Sequence, residues 1–82
     1  MYNYKEHRER IFTEEGQKEF LRVRDRVNEL LLTSKYIDIE QAIGGITGST
    51  WDNMAMVDRM VELGELIEIK PQTGSPRIFK KA

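Results

Sequence analysis

One histidine, no cysteine and fourteen carboxylates set the range of chemistry open to this chain of 82 residues. With His7 as the single imidazole and no thiolate, neither a Ser-His-Asp arrangement nor a zinc site of the usual ligands is expected. His7 reads as an ordinary surface residue in a mobile N-terminal stretch. A pair of carboxylates flanking a substrate can serve as acid and base. A domain this small has little room to bury such a pair and shift its proton affinity, because chains of its size bury only about 60% of their unfolded surface. Asp52, Asp58 and Glu62 are therefore expected in solvent. No catalytic residue, metal ligand or cofactor is expected, and the chain reads as a non-enzyme.

The stretch Gly44-Gly45-Ile46-Thr47-Gly48-Ser49-Thr50 invites a phosphate-loop reading. It lacks the lysine that follows the last glycine of such loops, and no strand precedes it. Two readings of Ser49 stand. Either it caps a helix, with the glycines making a turn, or the free N–H groups beside it hold one phosphate of a polyanion. Trp51 also has two readings. At three and four positions from Met54 and Ala55 it can close the core, or it can lie exposed with Met56 as an apolar patch for a protein partner.

The elements that must position these residues follow from caps and periodicity. Thr13-Glu14-Glu15 opens a helix, and Phe20, Val23, Val27, Leu30 and Leu31 recur at steps of three and four to about Ser34. Lys18, Arg22 and Arg26 lie on another face among acids, a solvated and self-paired surface. Residues 1–12 fit a further helical turn or two only loosely. Lys35-Tyr36-Ile37 suits a stub of strand. Asp38 and Gln41 form a capping-box pattern that opens a short helix through Ile43, ended by Gly44-Gly45. Ser49 and Asp52 repeat the pattern, so another helix begins near Thr50, with Met54, Val57, Met60 or Val61, and Leu63 on its buried stripe and Gly64 as its stop. Leu66 to Lys70 and Arg77 to Lys80 then alternate as strands around the turn residues Pro71 to Pro76.

The chain is 39% apolar and 33% charged, a globular composition for one domain. Its longest strictly apolar run, Met54 to Val57, is far short of the roughly 20 residues of a membrane span. With no signal-peptide pattern at the N-terminus, a soluble cytoplasmic protein is expected. Charge is uneven: residues 36–69 hold only Arg59 against seven acids, whereas Lys70, Arg77, Lys80 and Lys81 follow with no acid.

The order helix, short strand, helix, turn, helix, hairpin, with Val57-Asp58-Arg59-Met60-Val61-Glu62-Leu63-Gly64-Glu65-Leu66-Ile67 leading into the hairpin, resembles the winged helix-turn-helix family. The resemblance covers about residues 13–81. The segment from Phe12 through the Val57-to-Glu65 run is also similar to small bacterial proteins of unassigned function. It implies an α+β fold: a three-helix core with a C-terminal β-hairpin wing over residues 13–82, preceded by an N-terminal extension of residues 1–12. The gap from Ala42 to Leu63 is about four residues longer than the family's tight form, and the segment meant for a DNA groove is acidic.

Two functions follow from that resemblance. The first is a DNA-binding transcriptional regulator on double-stranded DNA. Its contacts would come from Ser49, Thr50, Asn53, Met56 and Arg59 on the third helix, and from Lys70, Thr73, Arg77, Lys80 and Lys81 on the wing and tail. The second is a protein-interaction module using Trp51 and Met56, which accommodates the acidic middle without further assumptions. Tyr2, Tyr4, Ile11 and Phe12 are free to support a homodimer unless they fold back on the domain.

Overall fold

The computed structural model describes residues 1–46, 48–69 and 76–82. Four helices and three strands follow in the order α1 (Tyr4–Ile11), α2 (Glu14–Thr33), β1 (Ile37–Asp38), α3 (Ile39–Ile43), α4 (Thr50–Glu62), β2 (Leu66–Ile69) and β3 (Ile78–Lys81). The strands form one antiparallel sheet in the order β1-β3-β2, so the fold is α+β with its last strand in the middle.

Local chemistry sets the element ends. Thr13 caps α2 by accepting from the Gly16 amide at 2.9 Å, and its hydroxyl donates to the Arg10 carbonyl at 2.9 Å, tying the end of α1 to the start of α2. Asp38 and Gln41 make both halves of the capping box of α3. Gly64 stops α4 with φ +78°, a conformation that costs residues with a Cβ. Gly16 has a different role: a Cβ there would come within 1.9 Å of the Arg10 carbonyl oxygen, so a side chain at this position would drive α1 away from α2.

The core gathers Ile11, Phe20, Val23, Val27, Ile37, Ala42, Ala55, Met56, Val57, Met60, Leu66 and Phe79. The α2 stripe is as expected at Phe20, Val23 and Val27, while Leu30 and Leu31 are only partly buried. Leu63, expected on the buried stripe of α4, is instead 46% exposed, because the helix ends at Glu62 and Leu63 turns outward as its cap. Residues 1–12 supply a helix of two turns whose last residue, Ile11, is 2% exposed. No described helix is long and apolar enough to cross a membrane.

Candidate interaction surface

The helix that the sequence assigns to DNA reading is enclosed from both sides. Asn53, Met56, Val57 and Met60 form its buried inner stripe. Trp51, Ala55, Asp58 and Glu62, at steps of four, three and four, form a second stripe on the opposite side. That second stripe meets α1, whose Tyr4, His7, Arg8 and Ile11 have the same helical spacing.

The α1–α4 seam sets polar contacts around the buried Ala55 and Ile11. The Tyr2 hydroxyl donates to Asp58 at 2.5 Å and the Tyr4 hydroxyl to Glu62 at 2.9 Å. Arg8 Nε donates to Glu62 at 2.9 Å. His7 Nδ1 lies 2.7 Å from Asp52 Oδ1, and Arg10 reaches the other oxygen of Asp52 at 3.3 Å. Tyr2 stacks on the His7 ring, and Trp51 meets that ring edge-on at 5.7 Å between centroids. Phe12 receives the guanidinium groups of Arg8 and Arg59 at 4.9 and 5.1 Å.

These contacts alter proton affinities in one consistent way. The hydrogen bond from Arg59, then that from Arg8, pulls the Glu62 carboxyl down to about 2. Burial, and then the bond to Asp58, pushes the Tyr2 hydroxyl well above its ordinary value. Arg77, just before β3, reaches the same outer stripe and donates to Asp58 at 2.5 Å and to Glu68 at 2.7 Å. The Glu68 bond leads in raising the Arg77 guanidinium above its ordinary value. The expectation that Asp52 and Asp58 are solvated is thereby corrected: their side chains are 24% and 14% exposed because α1 and Arg77 cover them. His7 is corrected likewise, with its side chain 11% exposed in the seam.

The candidate DNA contacts are scattered by this arrangement. Asn53 and Met56 face the interior, at 3% and 4% exposed, so neither presents its side chain to a groove, and Met56 makes no exposed patch with Trp51. Arg59 is engaged by Glu62, and Arg77 by two carboxylates. Ser49 and Thr50 are exposed at the start of α4, where the Ser49 hydroxyl accepts from the Asp52 amide at 3.4 Å as a helix cap. Lys80 and Lys81 are exposed on β3. Lys70 and Thr73, with most of the expected wing turn, lie outside the described residues. Trp51 is 42% exposed.

Beside the seam, a cleft of about 330 Å³ opens between the end of α1 and the starts of α2 and α4, lined in part by His7, Arg10, Glu19, Ser49 and Asp52. Its carboxylates oppose an anion there, and His7 Nδ1 is already held by Asp52. Tyr2 and Tyr4, read as free for a homodimer unless they fold back, do fold back onto α4, while His7 and Arg8 are the seam residues that local reading missed. The signal of Tyr4, His7 and Arg8 is a helical stripe of donors, facing no acids until α4 is brought alongside.

A different surface is left open on the sheet. Strand alternation from the pairs Ile67↔Lys80 and Ile69↔Ile78 places these four residues on the face away from Leu66 and Phe79. Tyr36, one residue before β1, continues that face and is 49% exposed, with Ile67 at 45%. No family model, curated protein or solved structure matches the chain.

Proposed function

We propose that this protein is a non-enzymatic protein-interaction module built on a winged-helix scaffold. The element order from α2 to β3 supports the scaffold: α2, α3 and α4 stand as its three helices, with β2 and β3 as the strands of the wing. The occupation of the outward face of α4 by α1 carries the functional reading. A helix can read base edges only if it enters the groove with its outward side chains free. Here Trp51, Asp58 and Glu62, which hold that side, are in contact with Tyr2, Tyr4, His7 and Arg8. The arginines nearest to α4 are paired with carboxylates within the domain, which weakens the attraction of this helix for phosphates.

The test is an NMR titration of the labelled protein with a mixed-sequence DNA duplex at low salt. The expected result is no saturable shift at Ser49, Thr50, Lys80 or Lys81. Salt-sensitive shifts at those four residues, with loss of the α1–α4 contacts, would return the function to double-stranded DNA and make α1 a displaceable cover.

A further inference from the structure

We infer that α1 is exchangeable: two copies of this chain pair by straightening the joint between α1 and α2 and laying each α1 on the α4 of the other copy. The inference goes beyond the interaction-module reading and does not depend on it.

The joint is one torsion away from a continuous helix. Only Phe12 and Thr13 separate α1 from α2. Phe12 lies in the right-handed helical region, with φ −85° and ψ 0°, and Thr13 has a helical φ of −77°. The ψ of Thr13, 161°, is extended and turns the chain back on itself. Rotating that angle to about −40° would join Tyr4 to Thr33 in one helix. The turn also interrupts the backbone ladder, leaving the first amides of α2 and the last carbonyls of α1 without helical partners. The Thr13 hydroxyl serves one of each, the Gly16 amide and the Arg10 carbonyl, both at 2.9 Å. A continuous helix pairs such amides and carbonyls with one another.

Straightening leaves α1 one place to go. Around a single helix, the α1 stripe of Tyr4, His7, Arg8 and Ile11 and the α2 stripe of Phe20, Val23 and Val27 would lie roughly 140° apart. With α2 seated in its core, the α1 stripe therefore faces away from that core. The joined helix would be roughly 45 Å long at 1.5 Å per residue. The longest extent of the folded domain is 33 Å, so α1 projects beyond it.

Polarity then selects the occupant of each α4. The α1 segment brings donors, the Tyr2 and Tyr4 hydroxyls and Arg8, and the outer stripe of α4 brings their acceptors, Asp58 and Glu62. Two α1 stripes together would set donor against donor, and two α4 stripes would set acid against acid. The α1 of one copy on the α4 of the other restores each match and buries Ile11 and Ala55 again. The exchange is reciprocal and closes at two copies, and the contacts it gives up are those of the joint.

The experiment measures the oligomeric state of the full chain by sedimentation equilibrium from micromolar to millimolar concentration. A concentration-dependent dimer is expected. Glu14→Pro should return it to monomer. Proline suits the first position of α2 and keeps Thr13 extended, but it cannot sit inside a continuous helix. Thr13→Ala, which removes the cap that holds the joint of each monomer, should raise the association constant by about tenfold or more. Circular dichroism at low concentration, compared with the unsubstituted protein, checks that both variants fold. In mixtures of isotope-labelled and unlabelled chains, the dimer should show a nuclear Overhauser contact from the His7 ring of one chain to the Trp51 ring of the other. Those rings lie 5.7 Å apart between centroids in the folded domain. A protein that stays monomeric at millimolar concentration, a dimer that survives Glu14→Pro, or a dimer without the inter-chain contact would overturn the exchange.

Discussion

The two long sides of α4 are held by different physics. Its inner side buries Val57 and Met60 completely against α2 and the sheet, where stability scales with the apolar area removed from water. Its outer side meets α1 around the buried Ala55 and Ile11, rimmed by hydrogen bonds and ion pairs among partly exposed groups, a class of contact worth little singly. Ile11 at one end and the hydroxyl of Thr13 anchor that outer seam to the rest of the molecule. A helix placed between an apolar bed and a polar cover is fixed by the bed and specified by the cover. One side supplies cohesion, and the other decides which surface is available to partners.

That contrast can be broken by substitution. Met60→Ala, on the inner side, should cost about 2–5 kcal/mol in urea unfolding monitored by circular dichroism. Asp58→Ala, on the outer side, should cost less, about 1–3 kcal/mol, because it leaves Tyr2 and Arg77 without their shared acceptor. If the Asp58 variant loses as much as the Met60 variant, the two sides are not distinct in kind. Hydrogen exchange sharpens the same point: amides of α1 should open at lower free energy than those of α4. Uniform protection across both helices would mean that α1 is as much a part of the core as α4.

The smallest effect is a pH signature. Glu62 has a carboxyl pulled from its ordinary value of 4.5 to about 2 by Arg59 and Arg8. A depressed carboxyl stabilises the folded state above its unfolded value, and that contribution disappears as pH falls through the folded value. Stability of the protein should therefore decline between pH of about 4.5 and 2, and Glu62→Gln should flatten the decline measured by thermal melts at successive pH values. An unchanged slope in that variant would show that Glu62 is not held by its two arginines in solution.

Local punctuation in the sequence was highly legible. Thr13, the Asp38 and Gln41 pair, Ser49 and Gly64 mark element ends because a cap acts on the amides of its own next turn or on its own backbone angles. The strands flanking the hairpin were legible from alternation. What was hidden is the pairing of α1 with α4, which joins Tyr2 to Asp58 and Arg8 to Glu62 across more than fifty residues. No local period encodes such a match, since each stripe taken alone looks like a solvated face. The misplacement of Asn53 and Met56 has the same origin. Val57 and Met60 are inside as expected, but the stripe they share takes in Asn53 and Met56, whereas Met54 and Leu63, expected on it, are partly buried and exposed.

The order of the strands has a bearing on how the protein is made. β3 is the central strand, yet it follows every other element along the chain, and Ile37 on β1 finds its partner Phe79 only when that strand arrives. A ribosome that has synthesised the four helices and β2 has therefore produced the parts of a sheet with no centre. Helical segments can form early, since their contacts are local, but closing the sheet waits for distant residues. Translation that halts before residue 78 leaves Ile37 and Leu66 without β3 between them, so quality-control proteases would find interrupted products easy to tell from finished ones.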